Sequence, residues 1–188
     1  MIRAGIVGPF GPVALVEREG VLVGLEWCLP EITGESALMT EGLAQLAAYF
    51  ERRLVRFDLP MDWGTGLNAA VRRAMADIPM GETRTYGQIA KVVGAAPQAV
   101  GQACGANPLP VVRPCHRVVA AAGLGGFAAA LAQARALLAL EAAAAAQRAR
   151  APRVAAASRP RRRKGTSATV PGRMLVVHAH WAAGASAL

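Results

Sequence analysis

Two apolar runs separated by a polar turn predict a β-hairpin near the start of the chain. The first run covers Val13 to Val16, residues 18–20 form the turn, and residues 21–27 form the return strand. Farther along, residues 41–53 carry apolar side chains at helical spacing, on the stripe Leu43, Leu46, Ala47 and Phe50. Residues 57–60 are expected to be extended, because a residue that precedes proline avoids the helical region. A hairpin followed by a helix makes residues 1–62 a small α+β unit.

The pattern is mostly helical in the second half. A helix is predicted over residues 67–78, with an inner face made of Leu67, Val71, Met75 and Ile78. Two short helices follow, over residues 86–93 and 97–104, and Gly94 lies in the turn between them. Such a pair is typical of a helix-turn-helix, although other helical corners share the pattern. The last amphipathic helix is predicted over residues 131–141.

The positive charge of the chain is concentrated at its end. The formal net charge at pH 7 is +9. Residues 1–141 contain 12 basic and 12 acidic side chains, whereas residues 142–188 contain nine basic side chains and no acidic one. The end is also rich in Ala, Arg and Pro, which predicts a disordered low-complexity tail. Its alanine-rich start is also compatible with a frayed extension of the last helix. A polyanionic partner is therefore indicated by the tail alone, and a DNA role for the remainder needs separate evidence.

The cysteines and the apolar runs indicate the compartment. Cys28, Cys104 and Cys115 are too few for a disulfide framework, and none lies in a zinc-ligand spacing. The first apolar run is interrupted by glycine and proline, and the longest uncharged stretch, residues 118–134, is short for a membrane span. We therefore expect a cytoplasmic protein without a membrane partner.

One cysteine lies in a context suited to nucleophilic chemistry. Cys115 is preceded by Pro114 and followed by His116 and Arg117. Nearby cations favour the thiolate, which is the attacking form of the side chain. Neighbours in an extended segment point to opposite faces, so two interpretations remain at this point: a reactive thiol, or a buried structural cysteine beside a surface histidine.

Several ordered motifs together resemble the O6-alkylguanine-DNA alkyltransferases, which are also called methylated-DNA–protein-cysteine methyltransferases. In chain order they are FDLP (57–60), GETRTYGQIAKVVG (81–94), GQACGANPLPVV (101–112), PCHRVV (114–119), GLGGF (123–127) and LLALE (137–141). The resemblance spans roughly residues 10–141. Agreement of several motifs in the right order is far more specific than any one of them.

The resemblance implies an α+β fold. Residues 1–62 would form a ribonuclease-H-like α/β subdomain, and residues 63–141 a mostly helical helix-turn-helix, winged-helix-like domain that binds DNA and accepts the alkyl group. Residues 142–188 would be the disordered basic tail.

The resemblance also implies a function. A monomer would bind double-stranded DNA containing O6-alkylguanine, with O4-methylthymine as a second candidate lesion, and flip the damaged nucleotide out of the duplex. It would then transfer the alkyl group irreversibly to Cys115, once per protein molecule. This chemistry requires no metal and no organic cofactor. Some relatives carry a structural zinc, for which this chain has no evident ligand set.

Individual roles follow from the same resemblance. Cys115 would be the nucleophile, His116 its base through a water molecule, and Glu141 the carboxylate that orients His116. Asn107 would brace the active-site turn. Tyr86 would assist nucleotide flipping and donate to guanine N3.

DNA contacts and a substrate pocket are implied in the same way. The implied DNA-binding residues are Tyr86, Gln98, Ala99, Gly101, Arg117 and Val118. The implied pocket residues are Cys104, Phe127, Ala128 and Ala129.

Three departures from the family pattern matter for function. Gln98 stands where the family usually has an arginine that fills the gap left by the flipped nucleotide, so weaker duplex binding is expected. Alanines 128–130 include positions where the family commonly has glycine, which would reshape the pocket loop. Arg113 replaces an aliphatic residue and would either contact phosphate or disturb the strand that enters the site. These departures leave an alternative, a non-catalytic or impaired module that binds alkylated DNA or regulates transcription.

Overall fold

The structure, a computed structural model, describes residues 1–28, 31–123 and 131–150. In chain order the elements are β1 (Ile2–Gly8), β2 (Gly11–Arg18), β3 (Val21–Glu26), α1 (Ala37–Phe50), α2 (Gly66–Ala76), β4 (Arg84–Thr85), α3 (Tyr86–Val93), α4 (Pro97–Gly105), a 3₁₀ turn (Cys115–Arg117), β5 (Val118–Val119) and α5 (Leu131–Arg150). A small sheet combined with several helices is an α+β architecture, as predicted.

The larger sheet has three antiparallel strands in the order β1-β2-β3. The predicted hairpin is confirmed as β2 and β3, with Glu19 and Gly20 at positive φ in the turn. β1 was not predicted, because Gly5 and Gly8 interrupt its apolar pattern. It pairs along its length with β2, from Ile2 opposite Glu17 to Gly8 opposite Gly11.

Helix α1 packs closely against this sheet. It begins at Ala37 rather than at residue 41, because the hydroxyl of Ser36 caps it by accepting from the Met39 amide at 3.0 Å. A Cβ at Gly42 would lie 2.9 Å from Cδ1 of Leu15, so glycine permits the close approach of helix and strand.

Two apolar cores lie beneath these elements. The first joins the sheet and α1 to residues from much later in the chain, namely Met80, Leu109, Val111, Val112, Leu137 and Ala144. The second joins α2, α3 and α4. Leu67, predicted on the inner face of α2, is instead 38% exposed, because it lies in the first turn of that helix.

The helical pair α3–α4 closely follows the predicted bounds. A capping box at Thr85 begins α3, and Gly94 ends it in the left-handed conformation with φ 67°. The short parallel pairing of β4 with β5 sets Arg84 opposite Val118 and Thr85 opposite Val119. The start of α3 is thereby fixed beside the residues that follow Cys115.

Helix α5 is longer than predicted. It continues past Glu141 to Arg150, and Ala144 is buried in the first core. Residues 142–150, at the start of the predicted tail, are therefore a helical extension of α5. The remainder of the predicted tail, residues 151–188, lies outside the described residues. Within the part of the chain that the structure describes, no helix is both long and apolar enough to cross a membrane.

Candidate active site

Cys115 begins the 3₁₀ turn that follows a braced and strained segment. Nδ2 of Asn107 donates to the carbonyl oxygen of Arg113 at 2.9 Å, and its Oδ1 accepts from the Leu109 amide at 3.2 Å. Val111 has φ 71°, a left-handed conformation that β-branched residues rarely adopt. Strain of this kind costs about 1–3 kcal/mol and persists where the surroundings hold it. Asn107 is thus placed to fix the entry to the Cys115 turn.

The Cys115 thiol is protonated at rest. Burial raises its pKa, and hydrogen bonds from the Asn107 side chain and from the backbone amides of Cys115 and His116 only partly oppose that effect. Because the thiolate is the nucleophilic form, attack at neutral pH requires a base that removes the thiol proton.

The carboxylate of Glu141 connects four elements of the fold. It is fully buried, and its Oε1 lies 2.9 Å from Nε2 of His116. Arg117 binds both oxygens, through Nε to Oε2 at 2.9 Å and through Nη2 to Oε1 at 2.7 Å. The Tyr49 hydroxyl donates to Oε1 at 2.7 Å, and the Gly81 amide donates to Oε2 at 3.3 Å. We call Tyr49, His116, Arg117 and Glu141 the carboxylate cluster.

Charge in the carboxylate cluster is set by its hydrogen bonds. Burial would raise the pKa of Glu141, but hydrogen bonds from His116 and Arg117 and their charges hold this pKa at about 2. Burial lowers the pKa of His116, with Glu141 acting in the opposite direction. The network therefore assigns a neutral imidazole that donates from Nε2 to the carboxylate. Its Nδ1 is buried, has no hydrogen-bond partner among the described residues, and is left as an acceptor.

Tyr86 lies at the start of α3, half-buried and near both thiols of this region. Burial is the main cause that raises the pKa of its hydroxyl, and the neighbouring Cys104 and Cys115 raise it further. The Tyr86 ring lies against α4, since a Cβ at Gly101 would be 3.9 Å from its Cε1. On the same helix Gln98 is exposed and Ala99 is partly exposed.

Other predicted site residues are placed differently from what their roles suggested. Arg117 is buried with its guanidinium directed at Glu141, and its Nη1 donates to the Ile78 carbonyl at 2.6 Å. Its side chain therefore faces inward, which corrects the expectation that it contacts DNA. The Val118 side chain is fully buried, so only its backbone is available to a substrate.

The predicted pocket is described only in part. Cys104 is buried, its sulfur lies 3.5 Å from that of Met75, and burial together with the neighbouring Cys115 raises its pKa to about 12. The Cys104 thiol is therefore protonated at neutral pH. Phe127, Ala128 and Ala129 lie outside the described residues.

A second buried arginine lies just before Cys115. Arg113 is fully buried, which rules out the predicted phosphate contact. Its Nη2 donates to the Asp62 carbonyl at 2.6 Å, and its guanidinium carbon lies 5.5 Å from the centre of the Trp63 ring. Burial, followed by the nearby charge of Arg72, lowers the pKa of Arg113 to about 10. Nε and Nη1 of Arg113 have no hydrogen-bond partner within the described ranges.

Sequence reasoning missed the two cluster members that hold Glu141 besides His116. The resemblance assigned Arg117 to DNA binding, although its partner Glu141 was already in the predicted site. Tyr49 lies three residues after Leu46, on the buried stripe of α1. A buried tyrosine needs a partner for its hydroxyl, and that signal could have identified it. Among the residues described, no group of three or more His, Cys, Asp or Glu side chains is arranged to hold a metal ion.

Comparison with known proteins identifies relatives of this chain. Residues 67–143 match the family described as 6-O-methylguanine DNA methyltransferase, DNA binding domain. The methylated-DNA–protein-cysteine methyltransferase of Mycobacterium bovis is 40% identical over 147 residues, covering 72% of this chain and 89% of that protein. The protein of the same name from Methanosarcina acetivorans is 45% identical over 153 residues, covering 75% and 98%. A crystal structure of Mycobacterium tuberculosis OGT in complex with DNA superimposes with a TM-score of 0.67 at 38% identity, covering 76% of this chain and 93% of that one.

Proposed function

The chain belongs to the methylated-DNA–protein-cysteine methyltransferases, and from this premise we propose that Cys115 is the residue that accepts the alkyl group. The function is DNA repair by direct transfer of an alkyl group from O6-alkylguanine in DNA to a cysteine of the protein. The alternative of a non-catalytic DNA-binding or regulatory module is not favoured, because the relatives matched along 89% and 98% of their length are methyltransferases by name.

One observation carries the proposal for Cys115. The next residue, His116, has Nε2 held by a buried carboxylate, while its Nδ1 is a buried acceptor without a partner among the described residues. That arrangement suits a base that removes the thiol proton through one water molecule. Glu141 then stabilises the imidazolium, because its own pKa of about 2 keeps it anionic at neutral pH.

The reaction is a displacement at the alkyl carbon. His116 accepts the thiol proton, and the Cys115 sulfur forms a bond to the alkyl carbon as the bond from that carbon to O6 breaks. The electron pair of the broken bond stays on guanine, where Tyr86 donates to N3 as negative charge develops. The thioether product is stable, so each protein molecule acts once. Flipping of the nucleotide precedes this step, since O6 is out of reach in a stacked duplex.

The finer architecture belongs to the same proposal. The antiparallel strands β1–β3 followed by α1 support a ribonuclease-H-like subdomain over residues 1–62. The consecutive helices α3 and α4 support a helix-turn-helix that presents Gln98, Ala99 and Gly101 to DNA. We propose in addition that the protein is a cytoplasmic monomer and that it acts on double-stranded DNA.

Incubation with a DNA duplex carrying O6-methylguanine labelled in its methyl group tests the function. We expect one label per protein molecule, located on Cys115 by peptide mapping, and no label in Cys115→Ser. Cys28→Ser is the matched control, because Cys28 is an exposed thiol and its loss leaves transfer intact. Duplex binding by the wild-type chain without any label would instead support the non-catalytic alternative.

A further inference from the structure

We propose that Tyr49 is a positioning residue of the alkyl-transfer site, whose hydroxyl holds Oε1 of Glu141 and keeps His116 a neutral base. This inference rests on the proposed function and deepens it. It assigns part of the active site to α1, an element far from Cys115 in sequence.

Tyr49 is held rigidly in place. Its side chain is fully buried, and its hydroxyl donates to Oε1 of Glu141 at 2.7 Å across 92 residues of sequence. Its ring packs against Phe50 and Phe57, with centroids 5.6 and 5.4 Å away. A buried ring with aromatic neighbours on two sides has little freedom, so the direction of its hydroxyl is set by packing.

The contact falls on the oxygen that matters for His116. Oε1 of Glu141 accepts from Tyr49, from Arg117 and from Nε2 of His116, whereas the Gly81 amide approaches Oε2. Each additional donor withdraws negative charge from Oε1 and weakens it as an acceptor for His116. The groups that face the carboxylate are thus the Tyr49 hydroxyl from α1, His116 and Arg117 from the 3₁₀ turn, and the Gly81 amide from the loop before β4.

Removal of the Tyr49 hydroxyl should therefore change the basicity of His116. With one donor fewer, Oε1 becomes a stronger acceptor and stabilises the imidazolium. The pKa of His116 rises, so His116 is protonated, and lost as a base, at a higher pH than in the wild-type protein. A hydroxyl that only fills space predicts a different outcome, namely lower stability without any change in pH dependence.

The experiment compares Tyr49→Phe with Phe57→Leu. Phe57 packs on the same ring but carries no hydroxyl, so its truncation perturbs packing alone. Single-turnover transfer from labelled O6-methylguanine duplex is measured as a function of pH. For Tyr49→Phe we expect the acidic limb of the profile to move upward by about half a pH unit. Phe57→Leu should lower the melting temperature and leave the limb where it is in the wild-type protein.

A second variant reverses the direction of the effect. Site-specific 3-fluorotyrosine at position 49 retains the ring and hydroxyl but donates more strongly, so the acidic limb should move downward. An NMR titration of His116 in the Cys115→Ser background reports the same pKa changes without requiring transfer. If the wild-type chain transfers the label but neither Tyr49 variant changes the acidic limb or the pKa of His116, the inference is overturned. Absence of transfer by the wild-type chain would overturn the proposed function instead, and the NMR titration would still decide the role of Tyr49.

Discussion

Two buried arginines four residues apart have opposite electrostatic surroundings. Arg117 forms a bidentate pair with Glu141 and donates its remaining nitrogen to the Ile78 carbonyl. Arg113 forms no salt bridge among the described residues; its guanidinium donates to the Asp62 carbonyl and lies over Trp63, and the charge of Asp62 only partly opposes the lowering of its pKa. The first cation belongs to the proposed catalytic machinery, whereas the second lies behind the turn that carries it.

The difference shows that a buried arginine can stabilise or destabilise a fold, depending on its partners. A buried cation is tolerated when a carboxylate and hydrogen bonds replace its lost hydration, as they do for Arg117. Arg113 obtains only partial compensation, which agrees with the lowering of its pKa to about 10. We therefore expect the free energy of unfolding to fall when either member of the Arg117–Glu141 pair is replaced. It should rise when the charge of Arg113 is removed.

The largest effect is expected for Glu141→Gln, which removes the carboxylate that pairs with Arg117. Arg117 would remain buried without its counter-charge, so the free energy of unfolding should fall by about 3–5 kcal/mol in chemical denaturation. Transfer should slow by about 100-fold or more, since His116 loses the anion that stabilises its charged form. Glu51→Gln is the control, because its pair with Arg53 is exposed and its loss should change stability by less than about 1 kcal/mol. Equal losses of stability in Glu141→Gln and Glu51→Gln would show that the buried pair contributes no more than the exposed one.

The sign of the pH dependence follows from the same carboxylate. In the folded protein the pKa of Glu141 is about 2, below its ordinary value of 4.5. A lowered pKa stabilises the fold at pH values above the unfolded pKa, and this contribution is lost as pH falls through the folded pKa. The stability difference between wild type and Glu141→Gln should accordingly be full above about pH 5 and shrink steadily toward pH 2.

The sequence predicted the local elements of the fold better than the contacts between distant segments. The hairpin and helices α3 and α4 follow from short-range patterns such as the Thr85 cap and Gly94, and these elements are confirmed. The contacts of Tyr49 with Glu141 and of Arg113 with Trp63 join distant segments, and no local pattern specifies them. Strand β1 was missed for the same reason, since its pairing with β2 overrides a glycine-rich pattern that gives little local preference.

A smaller effect of opposite sign is expected for Arg113→Met. An unbranched apolar side chain of similar length fills the space without a buried charge, so the free energy of unfolding should rise by about 1–2 kcal/mol. Asn107 should still brace the turn, because it binds the backbone carbonyl of residue 113 rather than the side chain. Transfer by this variant should therefore remain close to that of the wild-type protein. Arg117→Met is the matched comparison and should lose stability. If Arg113→Met loses as much stability as Arg117→Met, the two cations are equivalent.

The smallest change in stability is expected where an arginine is added on the surface. Gln98 is exposed on α4, so Gln98→Arg should alter the free energy of unfolding by less than about 0.5 kcal/mol, since its charge stays hydrated. On the proposed DNA face, however, the new cation gains phosphate attraction, and its planar guanidinium can occupy the gap left by a flipped nucleotide. Transfer from duplex O6-methylguanine should rise by about threefold at low salt and less at high salt.

Reaction with free O6-benzylguanine separates DNA binding from chemistry in this variant. The free base needs no flipping and carries no phosphate, so Gln98→Arg should leave its rate unchanged. Gln102→Arg places the same charge on an exposed position one turn later in α4, and should give a smaller gain on duplex DNA. Equal gains on duplex and free base would mean that position 98 acts on the Cys115 chemistry instead.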